Sequence, residues 1–142
     1  MQVLVRQVEA LSKIRKLETR RNVPPNSVAK LMSVIMFERR YFPLLTQVIV
    51  GGINNKPEIY TLDPLGSVLP DDYAAVGTGA EMALGVMDAE FKANMTEEKA
   101  KELAIRAIKS AIQRDSSSGD GIDVLIVSKT GHREETIAIR NS

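Results

Sequence analysis

Hydrophobic spacing along this chain changes in blocks. Two stretches of helical period come first, then several strand-like runs, then two more helices, then two more strands. Strand and helix do not alternate, so the pattern does not read as a parallel doubly wound sheet. It predicts an α+β fold in which helices are layered on antiparallel sheets. As a single domain, 1–142, such a chain can bury about 68–70% of its unfolded surface.

The first expected helix covers residues 2–20, with Leu4, Val8, Leu11, Ile14 and Leu17 recurring every three or four positions. Pro24-Pro25 ends it, because the residue before a proline is pushed out of the helical region. A second helix is expected from Asn26 or Ser27 to Arg39, with Asn26 as its N-cap. Its apolar stripe is Val28, Leu31, Met32, Ile35 and Met36. The β-branched run Leu44–Ile53 and the segment Glu58–Leu62 read as a hairpin around Asn54-Asn55-Lys56-Pro57. Asp63-Pro64-Leu65-Gly66 is turn chemistry. A short strand is expected near Ser67–Leu69 and another over Asp71–Gly77. A third helix should run from Ala80 to Lys92, with Gly85 as a weak point. Thr96 caps a fourth, whose face carries Ala100, Leu103, Ala104, Ala107, Ile108 and Ala111. Ile122–Ser128 and Glu134–Arg140 complete a hairpin around Lys129-Thr130-Gly131.

Composition narrows the function classes. The chain is 44% hydrophobic and 26% charged, as in ordinary globular domains. No apolar run approaches the ~20 residues that span a bilayer. There is no cysteine, hence no disulfide, thiolate metal site or cysteine nucleophile. That fits a reducing, cytoplasmic setting. Residues 1–40 carry nine Lys/Arg against three Asp/Glu, while the remainder is acidic. The asymmetry suits a solvated basic helix face, nucleic acid or head-to-tail subunit contacts. With three Phe and three Tyr, none interleaved with the basic residues, base stacking is disfavoured.

Several constellations carry candidate chemistry. Gly77-Thr78-Gly79 precedes a helix and could cradle a phosphate on free N–H groups, which keeps a small nucleotide-binding α/β protein as an alternative. Yet Gly77, Gly79 and Gly85 do not form a dinucleotide fingerprint, and no P-loop lysine follows. His132 lies beside a hairpin turn and is expected to be exposed. Asp71-Asp72 and Asp120/Asp123 lack the spacing of a calcium loop; the latter pair leaves open a weak or incidental cation site, and no resident metal or cofactor is expected. Met32, Met36, Met82 and Met87 fall at helical core spacing. Finally, Gln113–Asp123 reads Gln-Arg-Asp-Ser-Ser-Ser-Gly-Asp-Gly-Ile-Asp. Asp115 and Ser118 thus sit where a helix hands over to a sheet edge, a usual place for working side chains.

This last segment resembles the signature loop of archaeal-type 20S proteasome β subunits, threonine proteases of the N-terminal-nucleophile hydrolase superfamily. The resemblance extends through Gln2–Arg6, Arg40–Leu44, Val50–Ile53, Tyr60–Gly66 and Gly77–Ala80. It implies a four-layer α-β-β-α sandwich. It also implies a subunit of a seven-membered β ring, stacked on an α ring and fed by a regulatory ATPase, that hydrolyses unfolded polypeptides. Asp115 matches the aspartate that holds the threonine amine, and Ser118 the serine of the same loop. Thr78 stands where the family usually has a serine, keeping the hydroxyl and adding a methyl. Gln2 corresponds to a residue near the specificity-pocket wall.

The family's nucleophilic threonine, its tuning lysine and the oxyanion glycine would all fall upstream of Met1. The resemblance therefore implies a chain lacking its opening strands, roughly fifty residues, and catalytically inactive alone. It further implies that the isolated chain, with unpaired strand edges, is poorly soluble. A non-catalytic ring subunit is the alternative.

Overall fold

The computed structural model describes residues 6, 9–14, 23–38, 47–114 and 121–138. Of the expected helix 2–20, residues 9–14 are helical, and most of its remaining positions lie outside the described residues. Leu11 and Ile14 on it are exposed rather than buried. The chain divides into two compact units, Met1–Ala74 and Ala75–Ser142. Both combine helices with antiparallel sheet, so the fold is α+β.

In the first unit, helix α1 (Pro25–Glu38) covers one face of an antiparallel sheet. Its strands, in order, are β1 (Val48–Asn54), β2 (Lys56–Leu62) and β3 (Val68–Asp71). The helix begins one residue before the expected cap, because proline suits the first helical position, where no N–H is needed. The Pro24 carbonyl accepts the Ser27 and Val28 N–H groups at 3.0 and 3.1 Å. Asn26 instead accepts the Ser27 N–H on its side chain. Ala29, Met32, Ile35 and Met36 are buried against Leu62, with Val28, Leu31, Val48, Val50, Tyr60 and Val68 packed around them. Each large side chain so buried stabilises by about 1.5–3 kcal/mol.

Two glycines let the helix approach the sheet. A methyl on Gly52 would lie 2.6 Å from Pro25 Cγ. At Gly66 the backbone takes φ +90°, and a methyl would lie 2.7 Å from the Ser33 carbonyl oxygen. The Ser33 hydroxyl donates to the Gly66 carbonyl, tying the turn to the helix. Asp63 organises the same turn by accepting the Leu65 and Ser67 N–H groups, each at 2.9 Å.

The hairpin register pairs Val48 with Leu62 and Asn54 with Lys56, leaving Asn55 at φ 61° in the bend. Ile49, Thr61 and Leu69 align across the sheet on the face away from α1. There Ile49 is 37% and Leu69 65% exposed. The strand expected over Asp71–Gly77 does not form beyond Asp71, the last residue of β3; residues 72–79 are bends, turns and irregular chain. Pairing of β3 with β2 ends at Asp71 opposite Ile59, next to Glu58 and the N–H-less Pro57.

The second unit contains α2 (Ala80–Glu90), α3 (Glu97–Arg114) and the hairpin β4 (Gly121–Ser128) with β5 (Gly131–Ala138). Helix α2 runs unbroken through Gly85. Thr96 caps α3 as expected, its hydroxyl accepting the Lys99 N–H at 3.2 Å, with Glu97 and Glu98 at the positive end. Ala83 and Met87 of α2 are buried, as are Leu103, Ala107 and Ala111 of α3. The wider apolar face expected on α3 is only partly covered: Ala100 and Ala104 are exposed, and Ile108 is 41% exposed. Met82 likewise faces solvent instead of a core. In the hairpin, Ile122 is buried while Leu125 and Val127 are exposed.

Candidate active site

The Gly77-Thr78-Gly79 turn opens α2. Gly77 takes φ +107°, a conformation L side chains rarely adopt, and its carbonyl accepts the Ala80 N–H at 3.2 Å. Gly79 has the ordinary φ of −97° but no room for a side chain: a methyl there would lie 2.6 Å from Ala111 Cβ. Both glycines therefore serve the turn and the contact with α3. One N–H that a phosphate would need already donates to the backbone. Thr78, between them, is exposed.

That contact fixes where Thr78 stands. Ala111 begins the last turn of α3, which ends at Arg114, so the Thr78 turn abuts the end of the helix that leads directly into Asp115. Asp115 and Ser118 themselves lie outside the described residues, as does Gln2. The sequence pattern did not reveal the Gly79–Ala111 approach. Its only signal was a small residue on each side, glycine before α2 and alanine on the α3 face.

The other candidates resolve into surface features. His132 is exposed. Asp123 accepts a hydrogen bond from Thr136 across the hairpin at 2.9 Å. Asp71 accepts one from Thr61 at 2.7 Å. Among the described residues, no three His, Cys, Asp or Glu side chains converge to hold a metal ion. Asp63, which the sequence offered only as turn chemistry, is held below its ordinary carboxyl pKa. The Ser67 N–H is the largest cause, partial burial opposes it, and the Leu65 N–H adds to it. Burial pushes the Tyr60 hydroxyl up, reinforced by its hydrogen bond to Glu58 at 3.1 Å. Neither group is placed for nucleophilic work; both brace strands and turns.

Taken together, the elements define an α+β protein built from antiparallel sheets with helices packed on them, with a Gly-Thr-Gly turn set against a helix end. The family model described as proteasome subunit matches residues 1–127. Proteasome subunit beta 1 of Nitrosopumilus maritimus is 66% identical over 140 residues, covering 99% of this chain and 71% of that protein. Proteasome subunit beta 1 of Cenarchaeum symbiosum is 64% identical over 134 residues, covering 94% and 69%. Proteasome subunit beta 2 of Pyrobaculum aerophilum is 45% identical over 141 residues, covering 99% and 70%. The chain belongs to the proteasome subunit family and is of its archaeal β type.

Proposed function

We propose that this β-type subunit serves a threonine-type endopeptidase that degrades unfolded polypeptides, with Asp115, Ser118 and Thr78 in supporting roles. The observation that carries the reading is the Gly79–Ala111 approach, which sets the Thr78 turn beside the end of the helix that runs into Asp115 and Ser118. In the chemistry the resemblance implies, a threonine hydroxyl attacks the peptide carbonyl while its own α-amine takes the proton. Asp115 would hold that amine in its working protonation state. The Ser118 and Thr78 hydroxyls would fix its orientation. Gln2 would line the specificity pocket. The nucleophile, its lysine and the oxyanion glycine correspond to family positions upstream of Met1, so the activity belongs to a protein that includes them. Losing one oxyanion donor alone costs about 10²–10³ in turnover.

The same reading supplies the architecture and setting. Each unit covers one sheet face with helix and leaves apolar side chains exposed on the sheet: Ile49 and Leu69 in the first, Leu125 and Val127 in the second. The four-layer α-β-β-α sandwich is the architecture that the resemblance implies for the whole protein. The partners would be further β subunits in a seven-membered, homo-oligomeric ring, a proteasome α ring, polypeptide substrates and, indirectly, a regulatory ATPase. The setting would be cytoplasmic, with no nucleic acid and no membrane as partners. No helix among the described residues is long and apolar enough to cross a membrane.

The test is the mass and N-terminal residue of the native protein, followed by treatment with a threonine-directed covalent inhibitor. A threonine at the native N-terminus that takes up the inhibitor is expected. Asp115→Asn should then lower fluorogenic-peptide turnover by about 10²-fold or more. A native N-terminal threonine that stays unlabelled, or full turnover in Asp115→Asn, refutes the assignment.

A further inference from the structure

Helix α3 and strand β5 share a run of four charges whose signs alternate. Arg133 Nη2 lies 2.7 Å from Glu97 Oε1, and Arg133 Nε lies 3.5 Å from Glu135 Oε1. Glu135 pairs in turn with Lys101. Glu97 and Lys101 stand four apart on one face of α3, in the order that favours the helix. Arg133 and Glu135 stand two apart on one face of β5. The Lys101 and Glu135 side chains are only 18% and 35% exposed, so that pair is screened less than the outer one.

Along α3, the stripe that carries Glu97 and Lys101 continues through Ala104 and Ile108. Both are exposed, Ile108 by 41%, so apolar contact along that stripe is sparse. At the other end of the hairpin, Ile122 is buried and pairs with Ile137, which shares its face of β5 with Arg133 and Glu135. Small alanines offer little relief against axial sliding, whereas alternating charges fit in one register only.

We propose that Glu97, Lys101, Arg133 and Glu135 form an electrostatic clamp that sets the axial register of α3 on the β4–β5 hairpin. The register also fixes the span between the end of α3 at Arg114 and the start of β4 at Gly121. Such a clamp is a registry device, the best-attested use of paired charges, and it makes the hairpin salt-sensitive.

Hydrogen–deuterium exchange on the full chain, in the assembly it natively forms, tests this. Amides of 133–137 are compared with those of 48–62 in the other unit as an internal reference. Raising the salt to about 1 M, where the screening length is about 3 Å, should speed exchange of 133–137 roughly two- to five-fold relative to that reference, the range one exposed pair supports. Lys101→Met should give a similar acceleration at low salt and diminish the further effect of salt, leaving the part that the Arg133 pairs contribute. Lys101→Arg should behave like the parent. Exchange of 133–137 that ignores salt in the parent overturns the clamp. A salt effect that persists undiminished in Lys101→Met overturns it equally. If Lys101→Met does not fold, the parent salt titration and the Lys101→Arg variant still decide.

Discussion

Replacing Gly79 with alanine isolates a single interatomic contact. The backbone there has φ −97° and ψ 12°, which an alanine tolerates, so the substitution carries no left-handed strain. Restricting the unfolded chain would by itself stabilise by about 0.4–1 kcal/mol. Against that, the new methyl would sit 2.6 Å from Ala111 Cβ, when carbon atoms in contact prefer about 3.5–4.0 Å. The helices must separate by about 1 Å, and overpacking of this kind costs about 1–3 kcal/mol. Ala111→Gly removes the opposing methyl. The next atoms, Ala111 Cα and carbonyl carbon, lie 3.4 and 3.8 Å away, ordinary contact distances. Ala111→Gly alone should cost about 1 kcal/mol in helix propensity. In its background, Gly79→Ala should be neutral or slightly stabilising. The cycle, measured by urea denaturation followed by far-UV circular dichroism, should therefore return a coupling energy of about 1–3 kcal/mol. An equal cost for Gly79→Ala in both backgrounds would refute the close approach, and with it the placement of the Thr78 turn at the end of α3.

Leu62 is fully buried against α1, so Leu62→Ala should lower stability by about 2–5 kcal/mol in the same assay. Thr96→Ala removes the acceptor for the Lys99 N–H and should cost about 1 kcal/mol. Asp63 and Glu135 have carboxyl pKa values lowered from 3.8 and 4.5. Their contribution is complete above those values and is lost as pH falls through the lower folded-state ones, so Asp63→Asn should flatten the acid limb of a plot of urea midpoint against pH. Lys101 is raised above 10.5, chiefly by its hydrogen bond to Glu135, so its contribution holds below that pH and is lost as pH rises through the higher folded value. Glu135→Gln should remove that alkaline loss.

Where local chemistry decides, the residues announced the structure. Helix α1, the β1–β2 hairpin, the Thr96 cap and the β4–β5 hairpin follow from period, β-branching and turn residues, with ends displaced by a few positions. The start of α1 moved because Pro25 fits the first helical turn better than it fits a breaker role. The strand expected over Asp71–Gly77 failed because a strand needs a partner, and pairing of β3 with β2 stops at Ile59, where the next residues of β2 are Glu58 and the N–H-less Pro57. Pro70 itself marks β3 as an edge, where a missing N–H goes unnoticed. The exposure of Ile108, Ala104 and Met82 could not be read from spacing, because a helical stripe says which side is apolar and not what covers it. The resemblance named Thr78 through its neighbours, yet the reason for Gly79 emerged only when Ala111 appeared opposite it.

Thioethers make up two of the five side chains at the centre of the first unit, Met32 and Met36, which are 5% and 1% exposed. Peroxide reaches sulfur only where sulfur meets solvent, and the sulfoxide it leaves is polar. Met82, 37% exposed, should therefore oxidise before Met32 and Met36. Met36 should resist until the helix lifts from the sheet, and once modified it should prevent the helix from settling back. Peptide mapping after timed peroxide treatment would thus read the opening of this unit as a chemical clock.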